Sequence, residues 1–111
     1  MSKKRKYDRI PATILAELYP IGSIVSQGRG CVVNLSLGGV AIETETSFAV
    51  GTELDLVINL PLQMTGRIVR SEKVEGNFNR YGIEFTKSNL LDRLRIRRYI
   101  RNWIRFHGRN R

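Results

Sequence analysis

Between residues 12 and 85 the chain alternates apolar and polar positions in short runs, each closed by a turn signal. ATILAELY at 12–19 is apolar and β-prone, and Pro20 closes it. Ile21–Gly30 is rich in turn residues. Arg29–Leu37 forms a second run, in which period-2 spacing places Cys31, Val33 and Leu35 on one buried face. Gly38 and Gly39 interrupt it, and Val40–Glu43 resumes as a bent or turned strand. After a turn at Phe48–Gly51, Glu53–Leu60 sets Leu54, Leu56, Ile58 and Leu60 against Glu53, Asp55, Val57 and Asn59. That is a half-buried strand ended by Pro61. Residues 63–73 give another strand around Arg67, Ile68, Val69 and Arg70. Glu75–Asn79 reads as a hairpin loop, and Tyr81–Phe85 as the last strand. Strands that recur every 8–12 residues or so with short turns predict a small antiparallel barrel or sandwich.

The period changes at residue 88. Asn89 followed by Asp92 has the form of a capping box, and no Gly or Pro occurs from there until Gly108. A helix is expected to run to about Phe106. At 100° per residue Leu90, Leu91 and Leu94 project to one side, under Arg98, Arg101 and Arg105. Ile96, Tyr99, Ile100, Trp103 and Ile104 project largely to the other. The expectation is that the first half docks on the barrel mouth, while the second half, with Trp103, meets another surface such as a second subunit. The chain divides into a basic N-terminal segment at 1–10, a β-domain at 11–87 and a helix at 88–107.

Charge sharpens this division. The 111 residues carry a net charge of +9, which implies an anionic partner. Residues 1–9 are net +4, residues 10–86 net −3 and residues 87–111 net +8. A nucleic-acid binder usually spreads its cations over the face it uses, whereas here they lie at the two ends of a mildly acidic body. No apolar run approaches the ~20 residues of a membrane span, and no apolar segment follows the first charges as in a secretory signal. The single cysteine, Cys31, forms no internal disulfide, so a reducing, cytoplasmic setting is expected.

Catalytic chemistry finds little support. His107 is the sole histidine and falls near the end of the helix. Cys31 has apolar neighbours, the carboxylates are scattered, and no residues have metal-ligand spacing. No glycine-rich loop precedes a Lys–Ser/Thr pair. The chain reads as a non-enzyme with no metal and no cofactor.

Two motifs point to a ligand. Arg5 and Arg9 stand four apart in RKYDR, and guanidinium both binds phosphate bidentately and stacks on bases. Taken alone, this spacing is also common in solubilising basic tails. NLSLGG holds Asn34 and Ser36 two apart, facing one way if the strand is regular, next to glycines that admit close approach. Asn and Ser are equally residues that bond their own backbone in turns.

The combination RxxxR, then N/DxSxxG, in a six-strand β chain with a C-terminal helix resembles the PilZ domain family of receptors for the bacterial second messenger cyclic di-GMP. GGVAIET, GTELDLVINLP, GRIVR and RYGIEF fit as well, so a single domain at 5–106 is covered. Asn34 stands where many members carry Asp. The resemblance implies a mainly β fold: a six-stranded antiparallel barrel of the split-barrel type with a C-terminal helix. It implies that Arg5 and Arg9 grip phosphates and stack on guanine from a flexible switch segment. Asn34 and Ser36 would hydrogen-bond a guanine edge, and Gly39 would give room. Lys4, just before the first arginine, implies a stacked pair of ligands, and Arg70 is a weaker candidate contact. Ordering the arm costs about 1–2 kcal/mol per residue, offset in part by charge-assisted bonds of about 1.5–3 kcal/mol each. The docked arm would then relay the signal to a protein effector. The other readings are a nucleic-acid-binding module that uses the basic termini, a ligand-independent PilZ-fold interaction module, and a homodimer formed through the helix.

Overall fold

The computed structural model describes residues 9–23, 27–60, 62–87 and 89–108. Six strands form one closed antiparallel barrel in the order β1-β2-β3-β6-β5-β4. They are β1 (Ile10–Pro20), β2 (Gly28–Leu35), β3 (Gly39–Thr44), β4 (Glu53–Ile58), β5 (Leu62–Lys73) and β6 (Asn79–Lys87). Helix α1 (Leu90–Gly108) follows. Strand β1 closes the barrel by pairing with β2 along one edge and with β4 along the other. Among the described residues the closure leaves no long unpaired strand edge.

Alternation works as expected in most strands. Leu54, Leu56 and Ile58 of β4 point inward, as do Leu62, Met64 and Ile68 of β5 and Tyr81 and Ile83 of β6. Leu60 lies past the end of β4, in a turn, and only packs against the core's edge. The segment Val40–Glu43 is a strand in its own right, β3, paired with both β2 and β6.

Strand β2 departs from the expected face. Its register against β3 slips between Val32 and Asn34, so Val33 is the extra residue of a bulge. Before the bulge Val32 is in the core, and after it Leu35 is. Cys31, Val33 and Leu35 therefore do not share a buried face: Cys31 is half-buried and outside the core cluster. Period-2 extrapolation fails here because one inserted residue inverts the parity of everything beyond it.

The helix also docks differently from expectation. Asn89 caps it, its Oδ1 accepting the Asp92 N–H at 2.8 Å. The docking side chains are Ile96 (0% exposed) and Ile100, flanked by half-buried Tyr99 and Trp103. They pack on the barrel core, and the helix touches β5 and β1. Leu90, Leu91 and Leu94 are exposed, so the first half's leucines do not cover the barrel mouth and Trp103 packs on its own chain. Both stripes were apolar enough to dock. The wider one, with the aromatic pair, buries more area. Trp103 also stacks on His107, with centroids 4.1 Å apart, and His107 Nδ1 lies 2.9 Å from the Trp103 carbonyl. No helix among the described residues is long and apolar enough to cross a membrane.

Candidate functional site

Register, more than sequence proximity, builds the site. Pro11, Asn34, Ala41, Gly82 and Arg70 are successive cross-strand partners along β1, β2, β3, β6 and β5. Their chain neighbours Ile10, Leu35, Val40, Ile42 and Ile83 are core residues, so the row runs across the outside of the barrel. Its centre is Ala41 and Gly82, which leave a floor without bulk between Asn34 and Arg70.

Arg70 lies over that floor. A Cβ on Gly82 would sit 3.0 Å from Arg70 Nη2 and 3.1 Å from its Nε. The Arg70 side chain thus crosses β6 where only hydrogen occupies the outward position. The next outer row is an ion-pair network. Arg80 donates from Nε and Nη2 to Glu43 Oε2, at 2.8 and 2.6 Å, and from Nη1 to Glu72 at 3.3 Å. The Glu43 hydrogen bond is the main cause that pushes the Arg80 pKa above its already high value. Arg80 is thereby committed to its neighbours.

The turn between β2 and β3 forms the other wall. The Ser36 hydroxyl accepts the N–H groups of Gly38 and Gly39, both at 3.2 Å, and lies 3.3 Å from the Gly39 carbonyl. Ser36 N–H donates to that same carbonyl at 2.9 Å, and Phe85 N–H donates to the Gly38 carbonyl at 2.9 Å. The turn is therefore locked by a buried serine and pinned to β6. Gly39 is required for a separate reason: a Cβ there would lie 2.1 Å from the Ile83 carbonyl oxygen. Its missing side chain makes room for the backbone of β6.

A cleft of about 270 Å³ results, open to solvent. Arg9, Ser36, Gly38 and Gly39 line one side, and Val69, Arg70, Gly82 and Glu84 the other. Arg9 is exposed and immediately precedes Ile10, which is buried in the core. Four sequence-derived candidates, Arg9, Ser36, Gly39 and Arg70, thus meet in one cleft. Asn34 is half-buried on the outer row beside it and is not in its wall. Lys4, Arg5 and the rest of the arm before Arg9 lie outside the described residues, as do Pro61 and Ser88. Glu84 and Gly82 were not singled out from the sequence. The alternation in RYGIEF, with Arg80, Gly82 and Glu84 on one face, is the signal that could have found them.

The PilZ domain profile matches residues 3–102, and the chain belongs to the PilZ domain family. Solved structures of similar fold agree. The Bacillus subtilis inhibitor of motility MotI/DgrA superposes with a TM-score of 0.78 at 22% identity, over 96% of this chain and 54% of that one. Escherichia coli YcgR in complex with c-di-GMP gives 0.80 at 16% identity, over 97% and 49%. The isolated PilZ domain of YcgR with c-di-GMP gives 0.75 at 16% identity, over 97% of both chains. The chain thus spans about half the length of MotI and of YcgR. A comparison with curated protein sequences finds no significant match.

Proposed function

We propose that this chain is a receptor for cyclic di-GMP rather than a catalyst. One observation carries the reading: Arg9, the Ser36–Gly39 turn and Arg70, distant in sequence, converge on a single cleft beside Asn34. The ligand's two phosphodiesters call for guanidinium groups, and its guanines call for a flat floor with polar edges. Gly82 in the cleft, with Ala41 beside it on the same row, keeps that surface low. Arg70 offers donors suited to the O6/N7 edge of a guanine, and the Glu84 carboxylate can accept from its N1–H and N2–H groups. Arg9, with Arg5 from the arm, holds the phosphates. Asn34 contacts a guanine edge, while Ser36 acts by holding the turn in shape. Lys4 favours a stacked pair of ligands on one chain. The arm orders on the ligand and passes the signal to a protein effector in the cytoplasm.

The test is calorimetry with cyclic di-GMP. Binding in the micromolar range or tighter is expected, lost in Arg9→Ala and in Asn34→Ala, with a stoichiometry of two ligands per chain. No heat at millimolar ligand would sink the reading. Tight, steeply salt-dependent binding to duplex DNA that ignores Asn34→Ala would replace it with the nucleic-acid alternative.

A further inference from the structure

The face of α1 turned away from the barrel carries arginines and large apolar side chains and no acid. Arg97, Arg101 and Arg105 recur every four residues along one line, flanked by Arg98, and all four are exposed. The same face begins with Leu90, Leu91 and Leu94, which are 72%, 63% and 45% exposed, and Ile104 (43%) borders it. The helix's one acid, Asp92, is buried at the capped end and faces Arg95. Among the described residues no carboxylate pairs with Arg97, Arg98, Arg101 or Arg105.

We propose that this face binds the surface of an anionic lipid bilayer. The arginines meet headgroup phosphates, and the leucines enter the boundary between headgroups and acyl chains. The makeup of the face selects this occupant. Guanidinium groups alone would suit any polyphosphate, but three exposed leucines among them gain only where hydrocarbon lies directly behind the phosphates. A nucleic-acid groove offers phosphate and leaves the leucines wet. A second copy pairing by two-fold symmetry would set one arginine line against the other. A fluid leaflet, in contrast, supplies phosphates at whatever spacing the arginines have. The geometry allows it: the opposite face of the ~28 Å helix is the docked one, packed mainly against β5 and β1. This is attachment to a surface, with nothing crossing it.

Co-sedimentation of the full chain with vesicles tests the proposal. Phosphatidylcholine vesicles containing phosphatidylglycerol are compared with phosphatidylcholine alone. Partition onto the anionic vesicles only is expected, falling as salt rises. Arg101→Glu combined with Arg105→Glu should lower it roughly tenfold or more. Leu90→Ser, Leu91→Ser and Leu94→Ser together should lower it about tenfold. Circular dichroism of each variant checks that the helix persists. If the charge-reversed variant unfolds, Arg97→Gln with Arg101→Gln gives the same reading at smaller amplitude. Absence of partition onto anionic vesicles overturns the proposal, as does equal partition of the folded arginine variants. So does loss caused only by Lys3→Ser, Lys4→Ser and Arg5→Ser, which would assign the effect to the arm. Partition unchanged by the leucine variants, alongside tight binding to duplex DNA, would mean that nucleic acid is the occupant.

Discussion

The two arginine-bearing regions differ in what lies beneath the guanidinium groups. In the cleft, Arg70 rests on the bare backbone of Gly82, beside a turn that five hydrogen bonds or close polar contacts hold in shape. On α1, Arg97, Arg101 and Arg105 stand exposed on a convex surface, with no carboxylate paired to them among the described residues. A concave setting fixes direction and distance, and so can discriminate between ligands of equal charge. A convex one contributes mainly attraction, which salt screens. The same residue type thus serves recognition in one place and adhesion in the other, and the surrounding small residues decide which.

That contrast can be broken in graded steps. Gly39→Ala has the largest expected effect. Its Cβ would drive into the Ile83 carbonyl, separating β3 from β6, so stability should fall by about 2–4 kcal/mol in denaturant melts and the cleft should be lost with it. Tyr81→Phe comes next and touches neither arginine region. The buried hydroxyl accepts the Phe48 N–H at 2.7 Å and donates to the Thr46 carbonyl at 3.1 Å. Its removal should cost about 1–3 kcal/mol of stability while leaving ligand heat per folded molecule unchanged. Arg70→Ala should leave the melting midpoint nearly untouched but weaken cyclic di-GMP binding roughly tenfold or more by calorimetry. Gly82→Ala pushes the same side chain off its bed and should weaken binding several-fold with little effect on folding; wild-type affinity here would show that the floor is not used. Smallest of all, Arg101→Glu should leave ligand affinity unaltered at physiological salt, where charges more than ~8 Å apart are screened.

Most of the barrel was legible because β4 alternates strictly, the first half of β5 nearly so, and turn residues separate the strands. The start of the helix was legible in Asn89 and Asp92 alone. What was not legible depended on neighbours. The face of β2 turns on a bulge whose existence is a property of pairing with β3. The docking side of α1 was a contest between two apolar stripes, decided by which buries more area against the barrel core. In the site, the motifs marked Arg9, Ser36 and Gly39. The position of Arg70 over Gly82 needed the register of β5 against β6, itself shifted between Ile68 and Arg70. Ser36 shows the limit of motif reasoning from the other side, since its hydroxyl is spent on its own turn.

The bulge at Val33 acts on β2 as a frameshift acts on a reading frame. Upstream of it the intolerant positions are even-numbered, Gly30 and Val32; downstream the parity flips to Leu35. A saturation scan of residues 28–35 should therefore show two out-of-phase stripes of sensitivity that meet at one permissive site. Deleting Val33 would bring the stripes into phase: Asn34 would keep the outward slot between inward Val32 and Leu35, and the local bend in the wall beside the cleft would be lost.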